Sequence, residues 1–410
     1  MSRVVITGMG ALTPIGNSVA EFEDGLAASK VGFNPISHFD ATETGITLAG
    51  ELSNFDPLKR LGKRDLRRMD AFTQYAMYAT AEAIEQAGID GTNTVPEDMG
   101  VIYGSGIGGL TTIQEQVIKM ANKGPQRVSP MFVPTAISNM ASGNMAIRYN
   151  AKNICTTIVT ACASGTNAIG EAFRQIKEGR AEVMLTGGSE ASVNEIGIAG
   201  FASLSTLSTA TDPKKASLPF DKNRLGFVMG EGAGTLVLES LEHAQARNAE
   251  ILGEIVGYGA TADAYHITSP DPAGTQAARA MQLAIDEAGV TPADVQYVNA
   301  HGTATMGNDS AESKAINTVF GTDSDVLVSS TKSMTGHLLG AAGAIEAVAT
   351  MGAIRSGQLP ENVGVTKQDP ECNVNLVSAK NRDTQAEYAI SNSFGFGGHN
   401  AVLAFRKWAE

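Results

Sequence analysis

Four segments in the first half of this chain recur, in the same order, in the second half. Val4-Val5-Ile6-Thr7-Gly8 is matched by Ile255-Val256-Gly257-Tyr258-Gly259. The strand-like run and glycine loop at 100–106 are matched by 296–302. Thr156–Val159, the small polar turn Thr160-Ala161-Cys162 and a helical pattern over 168–179 are matched by Val326–Ser329, the turn Thr331-Lys332-Ser333 and a helical pattern over 341–352. Val183–Gly188 is matched by Tyr388–Asn392. Each unit reads as strand, turn and helix, so the economical reading is two similar α/β halves, residues 1–250 and 251–410, fused in one chain. Chance likeness between α/β units is the alternative. Halves packed about a pseudo-twofold axis would bring equivalent turns together. The Cys162 turn would then face the turns at His301, 332–337 and 391–399, and loops at strand ends are where α/β proteins gather their chemistry.

Bulk properties agree with this frame. A chain of 410 residues with 45 glycines and only 6% aromatic residues suits a closely packed α/β protein with many tight turns. There is no apolar run long enough to span a membrane and no secretory leader pattern at the start. Three cysteines, Cys155, Cys162 and Cys372, are spaced for neither a disulfide framework nor a metal site, so a reduced, cytoplasmic protein without a metal is expected. The net charge of −13 argues against nucleic acid as a partner. One local exception is Lys63, Arg64, Arg67 and Arg68. Arg64, Arg67 and Arg68 would share a face if their segment is helical; a solvated helix face is the plain alternative.

Cys162 falls at a strand-to-helix turn, with Ile169, Ala172, Phe173 and Ile176 recurring at one-face spacing behind it. The first N–H groups of a helix lack partners there and favour an anion, so the thiol is expected to have a lowered pKa and to be nucleophilic. The alternative is a small buried hydrophobe. Of six histidines, His38 and His243 sit among polar residues and are expected at the surface. His301 directly follows a strand and His337 precedes a helix, at corresponding positions of the second half. With Cys162 they make a candidate site. The pattern Gly104-Ser105-Gly106-Ile107-Gly108-Gly109 fits a dinucleotide fingerprint. No acidic residue follows about 20 positions on, so it is read as a tight packed turn.

Several longer stretches narrow the reading. They are TACASGTNAIG from Thr160, SLPFDKNRLGFVMGEGAG from Ser217, DAYHITSP from Asp263, NAHGTATMGND from Asn299, TKSMTGHLLGAAGAIE from Thr331 and SNSFGFGGHNA from Ser391. In these the sequence resembles the β-ketoacyl-acyl-carrier-protein synthases, the II type most closely, over essentially its whole length. The resemblance implies the thiolase fold, a duplicated five-layered αβαβα sandwich, and a homodimer.

It also implies a chemistry: a decarboxylative Claisen condensation that extends an acyl chain by two carbons. Cys162 would hold the acyl chain received from an acyl carrier protein. His301 and His337 would bind the enolate formed when malonyl-carrier protein loses carbon dioxide. The backbone N–H groups of Cys162 and Phe396 would stabilise the oxyanion. Lys332 and Glu346 would support the histidines, a buried ion pair that merely fixes the turn being the alternative. Thr303 and Thr305 would hold the phosphopantetheine arm that arrives on the carrier, so no resident cofactor or metal is implied. Phe396, between Gly395 and Gly397, would gate the nucleophile. Ile107, Met131, Phe132 and Phe201 would line the acyl pocket, though each could be ordinary core. Arg64, Arg67 and Arg68, extended by Lys123 and Arg127, would dock the acidic carrier.

The chain departs from its relatives at Ala163 and Asn167, where Ser and His are common, and at Met306-Gly307-Asn308-Asp309, where many have a proline. Neither departure touches the Cys-His-His set, but both leave chain-length preference open. A type II polyketide ketosynthase, which shares the triad, is the nearest rival. A thiolase or type III synthase is disfavoured by Lys332 before His337.

Overall fold

The computed structural model describes residues 2–409. The first half contributes strands β1 (Val4–Leu12), β2 (Met99–Gly104), β3 (Cys155–Ile158), β4 (Val183–Glu190) and β5 (Gly232–Ser240). The second contributes β6 (Gly253–Ala262), β7 (Val295–Asn299), β8 (Leu327–Ser329), β9 (Tyr388–Gly395) and β10 (His399–Lys407). They hydrogen-bond in the order β8-β7-β9-β10-β6-β1-β5-β4-β2-β3. Outward from the β6–β1 seam, each half runs first, fifth, fourth, second and third strand. In each half the second, third and fourth strands are parallel and the fifth is antiparallel to the fourth. Every pair of segments that recurs in the sequence therefore occupies equivalent strands. The seam consists of Val4, Val5 and Ile6 opposite Ile255, Glu254 and Gly253.

The main helices are α1 (Ala71–Ala87), α2 (Leu110–Lys123), α3 (Ser164–Lys177), α4 (Glu195–Ser203), α5 (Thr275–Ala288), α6 (Met306–Phe320) and α7 (Ala342–Ser356). α1 covers β1, β4 and β5 on one outer side, and α5 covers β6 and β10 on the other. Helices α3 and α7 touch strands of both halves, which makes them the middle layer of an αβαβα sandwich. Their sequences anticipate these places. α3 buries Ile169, Ala172, Phe173 and Ile176, the one-face set. α7 carries mostly apolar and small residues on every side, Glu346 and Thr350 apart, the pattern of an enclosed helix, and buries every residue from Ala342 to Ile354. Each of Ile345, Val348 and Ile354, at 1% exposure or less, contributes about 1.5–3 kcal/mol by leaving water. α7 also runs past Gly352 to Ser356, where Gly357 turns the chain into the left-handed region.

The two inner helices meet backbone to backbone at their starts. A Cβ on Gly343 would lie 1.9 Å from Thr166 Oγ1, and one on Gly165 would lie 2.9 Å from the Ala344 nitrogen. This crossing sets the turns before the two helices, with Cys162 and His337, side by side. Among the described residues, no helix is long and apolar enough to cross a membrane.

Candidate active site

Cys162 lies in a single 3₁₀ turn, Ala161–Ala163, between β3 and α3. Ala161 has φ +50°, a left-handed conformation costing a non-glycine residue about 1–2 kcal/mol. The turn is held because Ser164 Oγ donates to the Ala161 carbonyl at 2.6 Å and accepts from the Thr160 N–H at 2.9 Å. The result is a sharp elbow that presents the thiol to a pocket while burying it. Gly395, at the end of β9, packs on this elbow so closely that a Cβ there would lie 2.6 Å from the Thr160 carbonyl oxygen.

The expectation of a lowered thiol pKa is not met. Burial dominates and pushes Cys162 up to about 12; the Lys332 charge pulls it back, Glu190 pushes it further up, and the N–H groups of Phe396 and Cys162 itself favour the thiolate. The start of a helix supplies those N–H groups, but the sulfur they serve has lost its water.

The imidazoles of His301, after β7, and His337 meet edge to face, with ring centroids 5.3 Å apart. One potential ligand atom from each of Cys162, His301 and His337 lies within 4.8 Å of the others. Phe227 packs edge-on against His337 at 5.1 Å, and Phe394 against His301 at 5.8 Å. Both histidines are held well below the ordinary imidazole range, first by burial and then by the Lys332 charge. They are neutral at pH 7. Each Nδ1 is buried without a hydrogen-bond partner among the described residues. A proton there would be an unsatisfied donor, so the proton belongs on Nε2, the nitrogen left to face the pocket. A thiol and two imidazoles could also ligate a metal ion, but Lys332 places a cation beside them that opposes a second one.

Lys332 sits at the start of a short helix, Lys332–Thr335, where a simple turn was expected; Gly336 at φ +74° ends it. Its Nζ pairs with Glu346 on α7, both side chains almost wholly buried. Burial raises Glu346 to about 7 against the pull of Lys332.

Two buried carboxylates were missed in the sequence. Glu312 on α6 accepts from the N–H groups of His301 at 2.8 Å and Gly302 at 2.7 Å and from Asn392 Nδ2 at 3.1 Å, which fixes the His301 turn to β9. Glu190 at the end of β4 accepts from the N–H groups of Gly106 at 2.8 Å and Gly340 at 3.0 Å, joining the two halves next to the thiol. The available signal was an acidic residue set among apolar neighbours, Ala311, Ala315 and Ile316 in one case and an apolar strand in the other.

The pocket that opens over the thiol has a volume of about 270 Å³. It is lined by Cys162, Phe201, His301, His337, Thr303, Thr305 and Phe396 among others. Thr303 and Thr305 hydroxyls are 2.9 Å apart at its side. Phe396 is tilted against Phe201 at 6.1 Å, and Gly397 and Gly398 after it have φ of +85° and +76°. Ile107 does not line this pocket but packs in the apolar cluster that contains Cys162, Phe201 and Phe227. Met131 and Phe132 do not line it either; Met131 is 42% exposed and Phe132 half-buried, on the face that carries α2.

Arg64, Arg67, Arg68 and Arg127 are all exposed, and none enters an ion pair among the described residues. The helix expected to align the first three is only Lys63–Leu66, since Arg67 already caps it, so their proximity comes from a short helix and turn. Lys123 is exposed at the end of α2. His38 is exposed as expected. His243 is not: it is half-buried and pairs with Glu239. Asn167 accepts from Thr160 Oγ1 at 2.7 Å and donates to Tyr258 Oη at 2.6 Å, tying the Cys162 turn to β6.

Residues 1–244 match the family described as beta-ketoacyl synthase, N-terminal domain, and residues 252–366 match beta-ketoacyl synthase, C-terminal domain. The 3-oxoacyl-[acyl-carrier-protein] synthase 2 of Staphylococcus aureus is 50% identical over 99% of this chain and 98% of its own length. The protein of the same name from Synechocystis is 47% identical with the same coverage. Among solved structures, a beta-ketoacyl synthase from Burkholderia phymatum superposes with a TM-score of 0.93 at 37% identity over all of both chains. A type II polyketide ketosynthase, solved in complex with its acyl-carrier protein and bound to the hexaketide, superposes with a TM-score of 0.92 at 30% identity, also over all of both chains.

Proposed function

The chain belongs to the beta-ketoacyl synthase family, and on that premise we propose that it condenses malonyl-carrier protein with an acyl chain held on Cys162. The reading rests above all on one observation, the thiol and two neutral imidazoles within 4.8 Å of one another in a single pocket.

In the first half-reaction the Cys162 sulfur attacks the thioester carbonyl, the pantetheine thiolate leaves, and the thiol proton passes to it. Negative charge gathers on the carbonyl oxygen in between. The N–H groups of Cys162 and Phe396, already directed at the sulfur, are suited to receive that oxygen, and such donors are worth about 10²–10³ in rate each. Malonyl-carrier protein then loses carbon dioxide, and the electron pair of the broken C–C bond becomes an enolate. Nε2–H groups of His301 and His337 donate to its oxygen. Charged imidazolium would instead protonate the enolate, so neutrality is the useful state. The enolate carbon attacks the acyl-cysteine carbonyl, and collapse releases a 3-oxoacyl chain two carbons longer and the Cys162 thiolate, which takes a proton from water to restore the thiol.

Burial, reinforced by the Lys332 charge, keeps both imidazoles uncharged, and Glu346 holds Lys332. Thr303 and Thr305 bind the phosphopantetheine arm, and Phe396 gates the thiol, moving on its glycines. Phe201 borders the acyl chain. The cycle balances without a resident metal or redox group. Acidic carrier protein docks on Arg64, Arg67, Arg68 and Arg127.

Homodimerisation is supported by α2, which buries none of its residues and exposes Ile113, Val117 and Met120 beside Met131, Val133 and Ile137. β3 next to this face is an edge strand. A second copy here would cover Met131 and Phe132 and let them, with Ile107, close the far end of an acyl tunnel. Three free thiols support a reducing, cytoplasmic setting. Fatty acid elongation is favoured over polyketide assembly because identity falls from 50% to 30% between the two kinds of relative.

The test is incubation with acyl-carrier protein followed by mass spectrometry. An acyl mass on Cys162, and loss of condensation in Cys162→Ala with malonyl decarboxylation retained, is the expected result. Condensation that persists in Cys162→Ala overturns the reading.

A further inference from the structure

Residues 221–230 thread between the turn that carries Thr303 and Thr305 and the turn that carries His337. The Arg224 side chain is fully buried. Its Nε donates to the Thr305 carbonyl at 3.1 Å and its Nη2 to the Met306 carbonyl at 3.0 Å. Nη1 donates to the Asp221 carbonyl at 2.9 Å and to Asp369 at 2.6 Å, and the Asp309 carboxylate lies 3.6 Å from Nε. Two residues on, the Gly226 N–H donates to the Ala304 carbonyl at 3.0 Å. Three consecutive carbonyls, of Ala304, Thr305 and Met306, are thus held by Arg224 and its neighbour.

Ala304, between the two threonines, has φ +64°. A non-glycine residue stays in that region only where its surroundings over-determine it. The same segment then supplies Phe227 to His337, and the Val228 carbonyl accepts from the His337 N–H at 2.8 Å.

We propose that Arg224 is a positioning residue: it holds the strained 304–306 turn so that the Thr303 and Thr305 hydroxyls meet the phosphopantetheine arm in register with His337. This rests on the proposed condensation. The planar fork is what the task needs, because its donors point in fixed directions to separate carbonyls; a lysine ammonium is a single point and cannot span them. Charge balance alone, toward Asp309 and Asp369, would be met by either cation.

The decisive variant is therefore Arg224→Lys. Steady-state condensation with carrier-bound acyl and malonyl substrates is measured beside alkylation of Cys162 by iodoacetamide, which needs no threonine. KM for the carrier-bound substrates rises about tenfold, the scale of one lost hydrogen bond to substrate, while alkylation stays within about twofold. Thr303→Val adds little on top of Arg224→Lys, because both act through one contact. Should Arg224→Lys not fold, Asp369→Ala, which removes the carboxylate that accepts from Nη1, gives the same pattern at about threefold. Unchanged KM in a folded variant, or full additivity with Thr303→Val, overturns the assignment. Loss of condensation and alkylation in equal measure makes Arg224 a fold residue only, which also overturns it. Absence of condensation in the unaltered enzyme would instead sink the functional reading beneath it.

Discussion

Gly395→Ala adds one methyl where β9 meets the elbow that carries Cys162. That methyl would lie 2.6 Å from the Thr160 carbonyl oxygen, 3.2 Å from the Ala163 nitrogen and 3.3 Å from the Cys162 nitrogen. Gly395 is outside the left-handed region, so alanine has no backbone objection and the effect is steric alone. Ordinary contact begins near 3.4 Å, so strand end and elbow must part by roughly 0.8 Å. Overpacking of this kind costs about 1–3 kcal/mol of stability. Its effect on chemistry is larger, because the shift separates the Cys162 and Phe396 N–H groups proposed to share one oxyanion. Misplacement on the order of 1 Å costs about 10²-fold in rate. The assay is single-turnover acylation of Cys162 by acyl-carrier protein, read by intact mass, with decarboxylation of malonyl-carrier protein in parallel. Acylation falls about 10²-fold, while decarboxylation, which the proposed mechanism assigns to the His301 and His337 turns, changes only a few-fold. A folded variant that acylates at the original rate would show that the elbow and β9 do not cooperate in the working enzyme.

Three further outcomes follow from the same geometry. His301→Ala loses decarboxylation but still accepts an acyl group on Cys162 at reduced rate; full decarboxylation by that variant removes His301 from the mechanism. Because burial raises the thiol to about 12, deprotonation is favoured only well above neutrality, and Cys162 alkylation should climb about tenfold per pH unit through pH 9.5. A plateau below pH 8, scored on the Cys162 peptide so that exposed Cys155 does not interfere, would mean that Lys332 and the helix start outweigh burial. Arg67→Glu combined with Arg68→Glu raises KM for carrier-bound substrates and flattens its salt dependence, yet leaves acylation by a small pantetheine thioester unchanged. Equal losses with both substrates would assign these arginines to folding.

Much of this was legible in the sequence because repetition and polarity are local signals. The paired runs from Val4 and Ile255, or Thr156 and Val326, needed only to be compared to place equivalent strands. Ile169, Ala172, Phe173 and Ile176 announced the buried face of α3 by spacing alone. What was not legible depends on the environment rather than on neighbours in sequence. The thiol pKa was misjudged because the helix start is visible in the sequence and the loss of water around Cys162 is not. Glu190, Glu312 and Arg224 escaped notice because most of their partners are backbone groups, which carry no residue identity, and the side chains they also meet, such as Asn392 and Asp369, lie far away in sequence. The arginine face was misjudged because Arg67 and Arg68 lie past the end of a helix too short to give periodicity.

Helix α7 has an implication for how proteins built on this plan can diversify. With Ala342 through Ile354 all enclosed, it has no side facing solvent on which substitutions could accumulate harmlessly. Its start also touches Thr166 across Gly343, so even the smallest side chain there is excluded. Variation in substrate preference must therefore enter elsewhere, through the apolar residues around Ile107 and Phe201 and the exposed stretch near Met131. The inner layer acts as a fixed chassis, and the periphery is where new specificities can be tried without dismantling the catalytic centre.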